Sequence, residues 1–201
     1  DISELNNINL ILDKINPNLI INCAAFTSVN HAENDFDYAD TLNHKSVKFI
    51  AKWCKKNMCK LIHISTDFVY EGNSKNSISE DAPANPINNY GKTKLLGDIA
   101  CRIINPDSII IRTSWLYSSF GKNFVKTMIC KMQQKKQLNV INDQIGSPTY
   151  AADLANVILE IINSNKWKPG IYNYSNEAKI SWYDLAKDIK KIYGFKNIII
   201  N

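Results

Sequence analysis

Strand-like and helix-like apolar patterns alternate along almost the whole chain, and that alternation restricts the fold more than any single residue does. Leu5, Ile8, Ile11, Leu12 and Ile15 recur with helical period until Asn16-Pro17 stops the helix. Leu19-Ile20-Ile21 is a short continuous apolar run, which predicts a buried strand leading into Asn22-Cys23-Ala24-Ala25. A long helix is expected over about 37–57, with Ala39, Leu42, Val47, Ile50, Ala51 and Cys54 on one face. Strands are then expected at 60–65, 108–112, 138–141 and 170–174, and helices at 90–104, 123–134, 151–162 and 182–193. A loop holding Gly72, Asn73, Ser74, Pro83 and Pro86 interrupts the series. Strand and helix in regular alternation argue for a parallel sheet covered on both faces, the doubly wound α/β class. Ligands of such sheets bind beyond the carboxyl ends of the strands. The runs Ala24-Ala25-Phe26-Thr27, Ser65-Thr66-Asp67 and Thr113-Ser114-Trp115 fall there.

Glycine usage sets a second constraint. None of the seven glycines forms the Gly-rich turn whose backbone N–H groups meet a dinucleotide pyrophosphate at a helix N-terminus. The chain begins at Asp1 rather than Met. The first strand, glycine turn and helix of a Rossmann-type sheet are therefore expected to precede Asp1. Because the first strand is central in the usual order, a gapped and poorly stable sheet is expected.

Composition removes several function classes. At 45% hydrophobic, 201 residues can bury a sizeable core. A net charge of +5 without a dense Lys/Arg run interleaved with aromatics gives no nucleic-acid track. No apolar stretch reaches about 18 residues, so no membrane span is expected. Cys23, Cys54, Cys59, Cys101 and Cys130 are odd in number and scattered, and they read as reduced thiols of a cytoplasmic protein. Cys54, Cys59 and His63 match no common zinc spacing, and no metal ligand is assigned.

The run Tyr90-Gly91-Lys92-Thr93-Lys94 carries the chemistry. Side chains four apart on a helix share a face, so Lys94 stands one turn from Tyr90. A nearby ammonium favours the phenolate and is expected to pull the tyrosine pKa from about 10 toward neutrality. Such a tyrosine can pass a proton to a carbonyl oxygen while hydride arrives at carbon. Ser65-Thr66 at a strand end can add a hydroxyl to the same carbonyl. Asn43 is expected to hydrogen-bond a neighbouring loop. Asp153 reads as structural, and His31, His44 and His63 as surface or packing residues.

Five stretches in order carry a resemblance: Asn22 to Val29, Ser65 to Tyr70, Tyr90 to Lys94, Arg112 to Tyr117 and Asp143 to Thr149. Together they closely resemble the dTDP-4-dehydrorhamnose reductase (RmlD-like) family of extended short-chain dehydrogenase/reductases. The resemblance runs from Asp1 to about Tyr193, and it implies that residues 1–150 are a partial NAD(P)-binding Rossmann domain and 151–201 part of a substrate-binding region interleaved with the last Rossmann elements. It implies NADPH- or NADH-dependent reduction of the C4 keto group of dTDP-4-dehydro-L-rhamnose. Tyr90 is then the acid, Lys94 its activator and a holder of the nicotinamide ribose, and Thr66 a partner of the substrate carbonyl. Asp1, Ile2, Ala25, Phe26, Thr27 and Ile64 match cofactor contacts, and Asp67, Trp115, Asn123, Gln144 and Pro148 match substrate contacts. The resemblance also allows a homodimer and a Mg2+ requirement, and it admits both NADPH and NADH as hydride donor.

Two other functions remain in view. A sugar-nucleotide 4,6-dehydratase would need a second acid after Asp67, where Phe68 stands. A regulatory subunit of methionine adenosyltransferase resembles the same family but binds a partner enzyme, and the intact Thr66, Tyr90 and Lys94 favour catalysis instead.

Overall fold

The computed structural model describes residues 1–74, 76–164 and 166–201. The chain divides into two compact units, Asp1–Thr113 with Trp167–Asn173, and Ser114–Lys166 with Tyr174–Asn201. This division by compactness differs from the functional division expected at residue 150.

In the first unit, α1 (Leu5–Ile15) ends at Asn16, which turns left-handed at φ 48° and donates its N–H to the Leu12 carbonyl. Pro17 cannot extend the helix. There follow β1 (Leu19–Asn22), α2 (Val29–Asn34), α3 (Phe36–Asp40), a π-helical turn (Thr41–Lys45), α4 (Ser46–Lys56) and β2 (Lys60–Thr66). A 3-10 turn (Asp67–Val69), α5 (Asn89–Ile104) and β3 (Ile109–Thr113) complete the series. β1, β2 and β3 are parallel, with Asn22 opposite His63 and Ser65 opposite Arg112. The strand Gly170–Tyr174 lies outside β3. Val47, Ile50, Ala51, Cys54, Leu61, Cys101 and Ile110 form the core where the helices meet this sheet.

Two expectations are corrected here. The sheet has no gap, because its four strands hydrogen-bond as one contiguous set. In a doubly wound order, later strands add consecutively on one side of the first, so their mutual pairing does not depend on it. β1 forms one edge, and Ile21 is 40% exposed there. Nor is the segment 37–57 one uninterrupted α-helix. The wider turn at Thr41–Lys45 presents the Asn43 side chain to the loop after β1, and its carbonyl backs onto Gly97 of α5. Any Cβ at Gly97 would overlap that carbonyl, so glycine is what lets α5 approach so closely.

The second unit contains β4 (Leu116–Tyr117), α6 (Phe124–Gln134), β5 (Gln137–Leu138), β6 (Ile145–Gly146), β7 (Thr149–Tyr150) and α7 (Ala151–Asn163). The strand Gly170–Tyr174 of the first unit's sheet is β8, and the second unit continues with β9 (Ile180–Ser181), α8 (Trp182–Ile192) and β10 (Ile199–Ile200). Met128, Met132, Leu138, Ala186, Ile189 and Ile198 form its core. The strand expected over 138–141 is shorter than its apolar run. Only Gln137–Leu138 pairs with β10, after which Ile141 turns to accept the Tyr183 N–H at the start of α8. Among the described residues, no helix is long and apolar enough to cross a membrane, and no group of His, Cys, Asp and Glu could hold a metal ion.

Candidate active site

The site is built from the carboxyl end of β2 and the first turns of α5. Asn88 caps α5 by accepting the Gly91 N–H at 2.7 Å, which fixes the helix start and places Tyr90 in its first turn. A Cβ at Gly91 would overlap the Phe68 carbonyl, so glycine allows α5 to close on the turn Asp67–Val69. Tyr90 is 9% exposed and packs against Ala32, Ala39, Phe26, Val29 and Phe68. The Phe68 ring meets it edge-on, with centroids 5.5 Å apart. Phe68 thus takes an apolar role at the position where a dehydratase would need its second acid.

Thr66 ends β2. Its hydroxyl donates to Asp67 Oδ1 at 3.2 Å, accepts the Phe68 N–H at 3.2 Å and interacts with the Tyr90 hydroxyl. Lys94 lies one turn along α5 from Tyr90 and is only 2% exposed. Its Nζ donates to the Ile64 carbonyl at 2.7 Å. The structure therefore brings Thr66, Asp67, Tyr90, Lys94 and Ile64 together at the end of β2.

The expected direction of the Tyr90 shift is corrected. Burial pushes the phenol up to about 12, opposed by the Thr66 hydroxyl, and the Asp67 and Asp98 carboxylates push it further up. Desolvation disfavours the charged phenolate more than its neighbours favour it. Lys94 spends a short hydrogen bond on Ile64, and burial lowers its own pKa to about 8 against the pull of the Asp98 carboxylate. With the phenol pushed up to about 12, Tyr90 keeps its proton through the neutral range.

Asp67 is held up at about 6, because burial outweighs the hydrogen bonds from Thr66 and the backbone. A carboxyl whose folded pKa exceeds its unfolded value of about 3.9 favours folding most fully below that value. That contribution is lost as pH rises through about 6. Asp67→Asn should therefore gain stability relative to the parent between pH 4 and 7.5, by at most roughly 3 kcal/mol. Urea unfolding at the two pH values checks this, and an equal difference at both would contradict it.

The loop after β1 is organised by Asn43. Its Oδ1 accepts the Phe26 N–H at 2.8 Å, and its Nδ2 donates to the Phe26 carbonyl at 3.1 Å and to Thr93 Oγ1 at 3.0 Å. The expected loop contact is present, and it ties Ala25, Phe26 and Thr27 to the helix that carries Lys94. At the chain start, Asp1 accepts the Ser3 N–H at 2.8 Å and Ile2 packs against the core.

Trp115, Asn123, Gln144 and Pro148 lie in the second unit. Trp115 takes a left-handed φ of 46°, a costly conformation for a bulky residue. Its ring stacks on Trp182 with centroids 3.4 Å apart and lies against Gly146, where a side chain would collide with the indole. Asn123 caps α6 by accepting the Lys126 N–H at 3.0 Å and donates to the Ser118 carbonyl at 2.7 Å. Gln144 is exposed and Pro148 half-buried.

Sequence reasoning missed a buried polar cluster beneath Lys94. His63, Asp98 and Arg112 are each 5% exposed or less. Two spacings pointed to it: His63 is two residues before Ser65 on one strand face, and Asp98 is one helical turn beyond Lys94.

A parallel sheet with a Thr at one strand end and a Tyr-x-x-x-Lys helix against it defines a dinucleotide-fold protein of the short-chain dehydrogenase/reductase type. The family model described as RmlD substrate binding domain matches residues 1–198, and the chain belongs to that family. It is 40% identical to the spore coat polysaccharide biosynthesis protein SpsK of Bacillus subtilis strain 168, over 92% of this chain and 64% of that protein. It is 38% identical to a dTDP-4-dehydrorhamnose reductase of Aggregatibacter actinomycetemcomitans, over 92% of this chain and 65% of that protein. The crystal structure of dTDP-4-dehydrorhamnose reductase from Bacillus anthracis strain Ames in complex with NADP superposes with a TM-score of 0.94 at 36% identity. That match covers 99% of this chain and 71% of the other. The chain spans just under two thirds of the length of the two relatives.

Proposed function

We propose that this protein reduces the C4 keto group of dTDP-4-dehydro-L-rhamnose to give dTDP-L-rhamnose, with NADPH or NADH as hydride donor. The observation that carries the reading is the placement of the Thr66 and Tyr90 hydroxyls against each other at the end of β2, with Lys94 one helical turn along and anchored on the Ile64 carbonyl. Relatives named as dTDP-4-dehydrorhamnose reductases support the choice of substrate. The donor set suits a nicotinamide ribose: an ammonium carries three N–H groups, and Lys94 gives one to the Ile64 carbonyl, which leaves others for hydroxyls. A bound nicotinamide supplies the hydride that reaches C4. As charge builds on the keto oxygen, the Tyr90 hydroxyl donates its proton there and Thr66 donates a hydrogen bond. Each such placed donor is worth roughly 3–4 kcal/mol in the barrier.

In this reading residues 1–150 belong to the cofactor-binding domain. Ala25, Phe26, Thr27 and Ile64 contact the cofactor, with Asp1 and Ile2 toward its adenine end. Asp67, Trp115, Asn123, Gln144 and Pro148 contact the sugar nucleotide. A cytoplasmic setting accords with five unpaired cysteines.

The test is oxidation of NADPH and NADH by the full-length protein with dTDP-4-dehydro-L-rhamnose. Sugar-dependent oxidation that yields dTDP-L-rhamnose is the expected result. Tight cofactor binding without turnover on this sugar would overturn the proposal and favour another keto sugar or a partner-binding role.

A further inference from the structure

The buried cluster beneath Lys94 has a readable hydrogen-bond direction. The Ala24 N–H donates to Asn22 Oδ1 at 3.2 Å, and a backbone N–H can only donate, so the amide orientation of Asn22 is fixed. Asn22 Nδ2 then faces His63 Nδ1 at 3.1 Å and must donate to it. Burial and the neighbouring Lys94 hold His63 neutral. A neutral imidazole that accepts at Nδ1 carries its proton on Nε2.

That Nε2 stands 3.5 Å from Lys94 Nζ and 3.8 Å from Asp98 Oδ1. Asp98 Oδ1 is buried outside direct hydrogen-bond reach of any donor among the described residues, with the Ser65 hydroxyl also beside the carboxylate, and it is the acceptor on the side of the imidazole N–H. Asp98 Oδ2 is taken by Arg112 Nε at 3.1 Å. With a proton on His63 Nε2, Lys94 finds no acceptor there and is left to the Ile64 carbonyl.

We propose that His63 is a positioning residue for Lys94: its Nε2–H form, set from the Ala24 backbone through Asn22, points at Asp98 and directs the ammonium to Ile64 and the reacting side of the cluster. The inference rests on the reading of Tyr90 and Lys94 as reductase residues, and it extends that machinery to the buried polar cluster between the sheet strands and α5. It also couples the loop after β1 to the helix that carries the catalytic pair.

The test combines a spectroscopic and a kinetic readout on the full-length protein. Long-range proton–nitrogen correlation on histidine-labelled protein reports the tautomer, with the His63 signal assigned by its loss in His63→Gln. The Nε2–H form is expected, and a dominant Nδ1–H or doubly protonated ring overturns the proposal whether or not the protein turns over sugar. Kinetically, Gln can place an N–H near the position of Nε2, whereas Leu fills similar space without one. His63→Leu should lose kcat on the order of tenfold or more, the scale of a lost hydrogen bond to a charged group, and His63→Gln should recover most of it. Equal loss in both variants, or none in His63→Leu, would reduce His63 to packing and overturn the proposal. If the parent reduces no dTDP-keto sugar, the proposed function fails while the tautomer result still decides this inference.

Discussion

Tyr90→Phe should lower kcat for sugar reduction by about a hundredfold to ten-thousandfold, while cofactor affinity stays within a factor of about three. The size follows from the role. In the proposed reaction the tyrosine hydroxyl is the proton source at the keto oxygen, and burial pushes it up to about 12, so it would enter that step protonated. The Phe ring keeps the packing against Phe26, Val29 and Phe68 and removes only the oxygen. Thr66 still has Asp67 Oδ1 as an acceptor, so folding stability should change by no more than about 1 kcal/mol. Lys94 does not depend on the phenol for its anchor, since Ile64 holds it. Stopped-flow turnover with a parallel cofactor titration separates the two quantities. Turnover within tenfold of the parent would remove Tyr90 from the proton-transfer step, and a matching loss of cofactor affinity would recast it as a binding residue.

What the sequence revealed of this site was local, and what it hid was not. Tyr90 and Lys94 were legible because four residues of helix bring them together without reference to the rest of the fold. Thr66 was legible because an apolar run ends beside it. Asn43 was read as a loop contact because a polar residue inside an amphipathic stretch needs a partner, although the π-helical turn that presents it left no signal. The direction of the Tyr90 shift went the other way because proximity of charge can be guessed from spacing, whereas desolvation depends on what covers the ring: Ala32 and Ala39 from two separate helices. His63, Asp98 and Arg112 come from β2, α5 and β3, and only the strand register that sets Ser65 opposite Arg112 makes them neighbours. The expectation of a gapped sheet was wrong because it applied a rule about one strand to strands that pair among themselves.

Arg112→Met should destabilise the first unit by about 3–5 kcal/mol, the range for removing one partner of a buried ion pair. Arg112 is 5% exposed and Asp98 is 1% exposed. The guanidinium donates from Nε to Asp98 Oδ2 at 3.1 Å and from Nη1 to the Tyr70 hydroxyl at 2.9 Å, and lies 5.1 Å from the Tyr70 ring centroid. Met approximates the apolar stem but leaves the Asp98 carboxylate facing Lys94, His63 and Ser65 without the guanidinium bonded to its Oδ2. Burial already pushes Asp98 up, and Arg112 is among the groups that pull it back. Loss of Arg112 therefore raises it further, and the sign of the pH effect follows. The variant's folded state binds a proton more readily than its unfolded state, so its deficit should shrink as pH falls and Asp98 is neutralised. Asp98→Asn in the same background should recover part of the loss at neutral pH by removing the uncompensated charge, which makes the two substitutions less than additive. Urea unfolding of the parent, both single variants and the double variant, at pH 5 and pH 8, tests all three statements. A deficit below about 1 kcal/mol, independent of pH, would mean that water reaches Asp98 and that the pair is not buried in solution.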